Sequence, residues 1–273
     1  MEKKWLFDRQ WTRDFTTLRQ NFVRDFLARV QPQIGTGSAL DVGCGVGDFS
    51  KFLAALGFRV SAVDGREENV IEAKKRYPEI SYRTANAEDL PVAEMGIFDL
   101  VLCFGLLYHL ENPFRAIRNL YSLTRKILLI ETMCAPGSET TMELLDEGHA
   151  EDQGLNYVAF YPSEAAIIKM LYRAGFPYVY RFVPLPVDEL YTKTVWRKQL
   201  RTLLAASRTP VSAPNLVLAT ESMRHAVGDT DPWTTGLSRL RDFWLKRLFK
   251  LRVLASKLLK PSRKEMNTDG HRP

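Results

Sequence analysis

Apolar positions along this chain follow two periods, and the periods alternate. Over residues 8–30, Trp11, Phe15, Leu18, Phe22 and Phe26 recur at spacings of three or four, which predicts an amphipathic helix. QPQIGTGS follows as a breaker-rich linker. From residue 38, short apolar runs alternate with helical stretches: SALDV then DFSKFLAALG, RVSAVD then ENVIEAKKRYP, ISYRTA, FDLVLCF then PFRAIRNLYSLT, and finally KILLIET. NAEDLPVAEMG reads as a loop before FDLVLCF. Strands that alternate with helices of about ten residues predict a parallel, doubly wound sheet.

After Thr132 the pattern reads as a long loop to Pro162, with TTMELLDEGH as a short helix inside it. Ser163 and Gly175 have the residue types that start and stop a helix over SEAAIIKMLYRAG. PYVYRFVPL and LRTLLAAS read as two further strands. From Leu237 to Lys260, Leu237, Leu240, Trp244, Leu248, Leu251, Ala255 and Leu258 are set among basic residues, which predicts a cationic amphipathic helix. PSRKEMNTDGHRP then reads as a disordered tail. The expected organisation is a helical cap over 1–34, a main domain over 35–210 and a basic helical extension over 211–273.

Charge sharpens that division. The net charge is +6, but Tyr191 to Pro273 holds 17 basic and 6 acidic residues, leaving 38−17=21 basic and 32−6=26 acidic for the rest. A basic segment is thus joined to a mildly acidic body. Three readings of the 237–264 helix stay open: an anionic membrane surface, tRNA phosphates, or packing on the body or on a second copy in a homodimer. Three cysteines, Cys44, Cys103 and Cys134, show no CxxC spacing, which argues against a zinc site or a disulfide framework. MEKKWLFDRQ lacks an apolar leader core, and no apolar run nears the roughly 18 residues of a membrane span. A cytoplasmic chain, with membrane association open through the basic helix, is the expectation.

The chemistry concentrates at strand ends, where doubly wound sheets bind ligands. ALDVGCGVGDFS places Gly43, Gly45 and Gly47 after the first strand of the alternation, and the next strand ends in Asp64, where a ribose-binding carboxylate belongs. The spacing is GxGxG rather than the dinucleotide GxGxxG, and Asp41 and Asp48 flank it. Carboxylates repel a pyrophosphate but pair with an ammonium group. A ligand with a ribose and a cationic amino-acid end, and no phosphate, satisfies both; S-adenosylmethionine has that chemistry.

LDVGCGVGDFS, the Asp64 strand end, NAEDLP, FDLVLCFGLLYHL and the LLIET strand together resemble the class I S-adenosylmethionine-dependent methyltransferases. The likeness spans roughly residues 35–185 and implies a Rossmann-like, mostly parallel sheet of seven strands. It also implies roles. Gly43, Cys44 and Gly45 would pass backbone under the methionine portion with Asp41 near its amine. Asp64 would hold the ribose with Gly65 beside the adenosine. Asn86, Ala87 and Glu88 would meet the adenine, and Phe104 and Gly105 would border the cofactor. Many relatives carry Asp where this chain has Asn86. FGLLYHL and NYVAFYPSEAAIIKMLYRAGF further resemble a subgroup with tRNA wobble-uridine carboxymethyltransferases, which use carboxy-S-adenosylmethionine, and enzymes that methylate sugars and small metabolites.

Within that resemblance the acceptor side is expected at Tyr108, His109 and Glu131. Methyl transfer to a hydroxyl needs proton removal, and an imidazole, ordinarily titrating at about 6.5, suits a general base. His109 reads either as that base or as a residue ordering its loop. Tyr108 lines the methyl-transfer site or packs over the cofactor. Glu131 holds the acceptor or forms an ion pair with a loop arginine. Asp146, Glu147, His149, Glu151 and Asp152 lack regular metal-ligand spacing and read as an active-site lid. Tyr157 and Tyr161 offer an aromatic wall for a sugar or ring, or structural packing. A sugar or small-metabolite O-methyltransferase is the leading expectation, beside tRNA wobble-base alkylation and a non-catalytic scaffold.

Overall fold

The computed structural model describes residues 5–192 and 201–221. A helix α1 (Gln10–Ile34) precedes β1 (Ser38–Val42), α2 (Asp48–Ala55), β2 (Arg59–Asp64), α3 (Glu67–Arg76) and β3 (Ser81–Thr84). A short helix α4 (Val92–Met95), β4 (Phe98–Phe104), α5 (Pro113–Leu123) and β5 (Thr124–Met133) complete the alternating region. Then come β6 (Met142–Asp146), β7 (Val158–Pro162), α6 (Glu164–Ala174), β8 (Tyr178–Phe182), β9 (Arg201–Ser207) and β10 (Leu216–Leu218).

The central sheet runs β10-β8-β9-β5-β4-β1-β2-β3. It is parallel from β5 through β3, while β9 pairs antiparallel with both β5 and β8, and β10 antiparallel with β8. The alternating pleat sends Ala39, Leu100 and Leu102 to the face covered by α1, α2 and α3. Leu40, Val101 and Cys103 go to the opposite face, under α5 and α6. Burial on both faces explains why β1 and β4 read as nearly continuous apolar runs. Strand order reverses between β1 and β4, so their carboxyl ends open a crevice at the switch point.

Helix boundaries follow local chemistry. Ser163 Oγ accepts from the Ala166 amide at 3.1 Å, and Gly175 takes φ 117° at the other end of α6, as the capping residues imply. At α1 the linker expectation gives way. The helix runs through Pro32 to Ile34, because a proline in the last turn forfeits only one backbone bond while Val30 and Ile34 bury apolar surface.

Three expectations are corrected. The central sheet has eight strands, not seven, because β10 adds a three-residue edge beyond residue 210. TTMELLDEGH is not helical: Met142–Asp146 pairs antiparallel with Val158–Pro162 as a separate two-stranded sheet. The supposed long loop is therefore a hairpin carrying an 11-residue tip, residues 147–157. The basic segment 237–264 and the tail that follows it lie outside the described residues. No helix among the described residues is long and apolar enough to cross a membrane.

Candidate active site

The turn after β1 is shaped by its glycines. Gly43 and Gly45 take φ 78° and 53°, a region side chains rarely adopt, and a methyl at either would meet Leu106 or Phe7 at 2.9 Å. Gly43 and Cys44 amides donate to Val63 O at 2.8 and 3.0 Å, which ties the turn to the end of β2. The Gly45 amide donates to Asp64 Oδ2 at 2.8 Å. Asp64 Oδ1 accepts from the Arg66 amide at 2.9 Å and from Asn69 at 3.2 Å. Burial raises the Asp64 pKa and these bonds oppose the rise, so backbone donors support the carboxylate at the mouth of the crevice.

A cavity of about 250 Å³ opens here, walled by Gly43, Gly45, Asp64, Gly65, Asn86, Ala87, Glu88, Phe104, Gly105, Tyr108 and His109. It thus brings together most residues singled out in the sequence. Asn86 Oδ1 caps the short turn at 87–89 through the Glu88 amide, at 3.0 Å. Asn119 Nδ2 holds the carbonyls of Ala87 and Glu88, each at 3.0 Å. Glu88 Oε1 accepts from the Glu111 amide at 2.9 Å, which fixes one wall of the cavity to the α5 side.

Asp41, Cys44 and Glu131 are not among the wall residues. The Asp41 carboxylate accepts from Ser50 Oγ at 2.6 Å and is 2% exposed, so it binds β1 to α2 beneath the turn. Burial pushes its pKa up to about 7, against the Ser50 bond and with reinforcement from Asp64 and Asp48. The Cys44 side chain is likewise buried, and burial raises its thiol pKa.

Glu131 is fully buried. It accepts from Arg201 Nε at 2.5 Å and Nη2 at 3.1 Å, from Arg19 Nη1 at 3.1 Å and from Tyr191 OH at 2.8 Å. Burial alone would raise its pKa; Arg201 and Arg19 hold it at about 2. The ion-pair alternative is the one observed, with partners on α1 and β9 instead of a loop. Arg19 and Arg201 themselves line the cavity.

A turn over Leu107–His109 presents Tyr108 and His109 to the cavity. His109 Nδ1 meets Glu147 Oε1 at 2.5 Å, and Glu147 Oε2 accepts from the Gly154 amide at 2.7 Å. Both side chains are nearly buried. Glu147 belongs to the tip of the β6–β7 hairpin, whose Glu151 and Asp152 line the cavity. Arg66 clamps that tip, donating to the carbonyls of Gln153 and Gly154 at 3.1 and 2.8 Å. Leu6 N donates to Glu151 Oε1 at 2.7 Å. His149 packs on Tyr157 at 3.9 Å.

Tyr108 lies edge-on to Tyr161 at 5.4 Å, with the Arg201 guanidinium 5.4 Å from its ring. Burial raises the Tyr108 pKa and Arg201 opposes it. The two halves of α1 differ: Val23, Phe26, Leu27 and Val30 dock on the sheet, while Trp11, Phe15 and Arg19 reach the cavity. The helix is both a docked element and a cover.

Part of the chain is similar to known proteins. Residues 40–127 match the family profile described as "Methyltransferase domain". Those residues are a methyltransferase domain. The domain covers β1 through the start of β5, the segment that carries the glycine turn, Asp64 and His109.

Similar curated proteins include a ubiquinone biosynthesis O-methyltransferase of Caulobacter sp. (strain K31), 37% identical over 116 residues, 38% of this chain and 46% of that one. A tRNA U34 carboxymethyltransferase of Alteromonas mediterranea is 34% identical over 164 residues, 54% of this chain and 48% of that one. The chain spans about half the length of the curated relatives it matches. Among solved structures, the N-terminal domain of EvdMO1, in the presence of SAH and D-fucose, superposes with TM-score 0.57 at 21% identity. That match covers 73% of this chain and 84% of that domain, and it shows the Rossmann-like methyltransferase fold.

Sequence reasoning missed Arg19, Arg201, Tyr191 and the pairing of Glu147 with His109. Arg19 and Arg201 are 182 residues apart, so no local spacing could join them. Glu147 carried a signal, an acid in a candidate lid, but its partner depended on the hairpin.

Proposed function

We propose that the chain is an S-adenosylmethionine-dependent enzyme that O-methylates a sugar or another small hydroxylated metabolite. The observation that carries this reading is the convergence, in one cavity, of the glycine turn and Asp64 with the His109–Glu147 pair.

The residues present fit the donor. The backbone at Gly43 and Gly45, which carries no side chain, would pass under its methionine portion, and Asp64 would accept from the ribose hydroxyls. Asn86, Ala87 and Glu88 would meet the adenine, and Gly65, Phe104 and Gly105 would border the donor. S-adenosylmethionine, when bound, supplies a methyl group on a sulfonium, open to in-line displacement. His109 removes the acceptor hydroxyl's proton at Nε2, because its Nδ1 is engaged by Glu147. Glu147 is a positioning residue: accepting from Nδ1–H fixes the ring and its tautomer. Tyr108, held edge-on by Tyr161, would flank the acceptor, and the 147–157 tip, pinned by Arg66, would keep water from it.

Release of S-adenosylhomocysteine from S-adenosylmethionine and a pool of hydroxylated small molecules tests this reading. His109→Ala should lower turnover by about a hundredfold or more while leaving donor affinity intact. Turnover unaffected by that change would remove the base from the scheme, and no turnover with any acceptor would favour a binding scaffold.

A second reading has one observation in its favour, the longer alignment with the Alteromonas tRNA enzyme. It makes the 237–264 segment an RNA footprint. Salt-sensitive tRNA binding lost on deleting 237–273 would support it, and absence of binding at low salt would end it. Flotation of the same two proteins with anionic liposomes tests the membrane alternative for that segment.

A further inference from the structure

We propose that the turn after β2 couples the donor site to the His109–Glu147 pair, with Arg66 and Asn69 as positioning residues and the 147–157 tip as the element that carries the coupling. This rests on the methyltransferase reading above and links its two halves.

Arg66 and Asn69 each hold both Asp64 and the tip. Asp64 Oδ1 accepts from the Arg66 amide at 2.9 Å and from Asn69 Nδ2 at 3.2 Å. Asn69 Nδ2 also donates to the Glu151 carbonyl at 3.2 Å, so its two N–H groups serve one acceptor each. The Arg66 guanidinium donates to the carbonyls of Gln153 and Gly154 at 3.1 and 2.8 Å. Leu155 packs on the same turn, where a Cβ at Gly65 would lie 2.8 Å from its Cδ1. Gly154 then passes the tie onward: its carbonyl is on Arg66, and its amide donates to Glu147 Oε2 at 2.7 Å. The other oxygen of Glu147 is on His109 Nδ1.

Coupling between sites needs an element with two states that both sites bias. The tip has the marks of one. β6 buries none of its residues, and Met142, Leu144 and Leu145 are exposed, so the hairpin gains little from burial. Tyr157 takes φ 58°, a left-handed conformation that costs a residue with a side chain. Asn69 Oδ1 is buried with no hydrogen-bond partner among the described residues, a further cost of the closed arrangement. In a segment balanced this way, a few bonds decide the population. A ligand that orders the Asp64 turn orders Arg66 and Asn69 with it, which favours the closed tip and sets Glu147 against His109. By linkage, the closed tip favours the ligand to the same degree.

The test uses the full chain with S-adenosylhomocysteine as the probe. Calorimetry first establishes that the wild type binds it, which checks the donor reading separately. Hydrogen exchange read by mass spectrometry, with and without the probe, follows residues 147–157 and, as a control, residues 43–47. The probe should slow exchange at both by about tenfold or more. Arg66→Gln leaves the main-chain bond to Asp64 in place. It should lose the protection at 147–157, keep that at 43–47, and bind the probe about fivefold or more weakly. Arg66→Lys should recover part of the loss. Nitrogen NMR of histidine-labelled protein at about pH 8.5, two units above an ordinary imidazole, reads the far end. With the probe bound, the His109 ring, assigned by its absence in His109→Ala, should be the Nδ1–H tautomer in the wild type and a mixture of both tautomers in Arg66→Gln.

A bound probe that leaves exchange at 147–157 unchanged in the wild type overturns the coupling and spares the donor reading. So does an Arg66→Gln protein that keeps the tip protected or the His109 tautomer fixed; weaker binding would then mean that Arg66 touches the donor only. Failure of the wild type to bind the probe overturns the donor reading, and the coupling falls with it. If Arg66→Gln does not fold, Arg66→Lys decides by the same comparisons.

Discussion

Replacing Glu131 with glutamine removes a buried charge and leaves the side chain's shape almost unchanged. The carboxylate accepts from Arg201 Nε and Nη2, Arg19 Nη1 and Tyr191 OH. A glutamine offers one acceptor oxygen, and its amide nitrogen would face guanidinium donors. Burial works against the charged form, but Arg201 and Arg19 hold the Glu131 pKa at about 2, below the ordinary 4.5. That depression corresponds to about 3 kcal/mol of folding stability at neutral pH. Removing one partner of a buried ion pair costs about 3–5 kcal/mol, a consistent figure. For a chain of this size each kcal/mol moves Tm by about 2–4 °C, so Glu131→Gln should melt about 6–12 °C lower at pH 7.

The sign follows from the depression. The folded pKa lies below the unfolded one, so the stabilisation is complete above about pH 4.5 and is lost as pH falls towards 2. The gap between wild type and variant should therefore narrow on acidification. Scanning calorimetry and urea titration across that range measure it. A Tm within about 2 °C of wild type at pH 7, together with a raised KM for the acceptor, would refute this reasoning and return Glu131 to substrate holding.

Asp41 behaves in the opposite sense. Its folded pKa, about 7, lies above the ordinary 3.8, so its favourable contribution is present below about pH 4 and lost as pH rises through 7. Asp41→Asn should be more stable than wild type at about pH 8.5 and lose that advantage near pH 4; urea midpoints that shift equally at both would count against it. Glu147→Gln keeps the hairpin's shape and should lower turnover about tenfold, less than His109→Ala, with donor affinity unchanged. A loss equal to that of His109→Ala, accompanied by weaker donor binding, would make Glu147 a structural residue of the lid.

The alternating region was legible because its segments obey one rule each. β1 and β4 are apolar on both faces, α2 and α5 carry helical spacing, and Ser163 and Gly175 punctuate α6. The wall built from the glycine turn, Asp64 and the 86–88 turn was legible for a related reason: each is local, and strand order places them side by side. β6 escaped because it is short and mostly exposed, so its apolar residues show no clean two-residue period, and only pairing with β7 selects the strand. β10, three residues long at an edge, left almost no pattern. The other wall of the cavity escaped because it is assembled from distant parts. Arg19 comes from the first helix, Arg201 from an antiparallel strand near the end of the described chain, and Glu147 from the hairpin tip.

The proposed function stands on Asp64 and the glycine turn holding S-adenosylmethionine. Calorimetric titration of the full chain and of Asp64→Ala with this ligand tests it most directly. Each hydrogen bond from a ligand hydroxyl to the buried carboxylate is worth about 1.5–3 kcal/mol, so the variant should bind at least about tenfold more weakly. Wild type should bind one equivalent per chain. No binding by the wild type, or equal affinity in Asp64→Ala, would contradict the account.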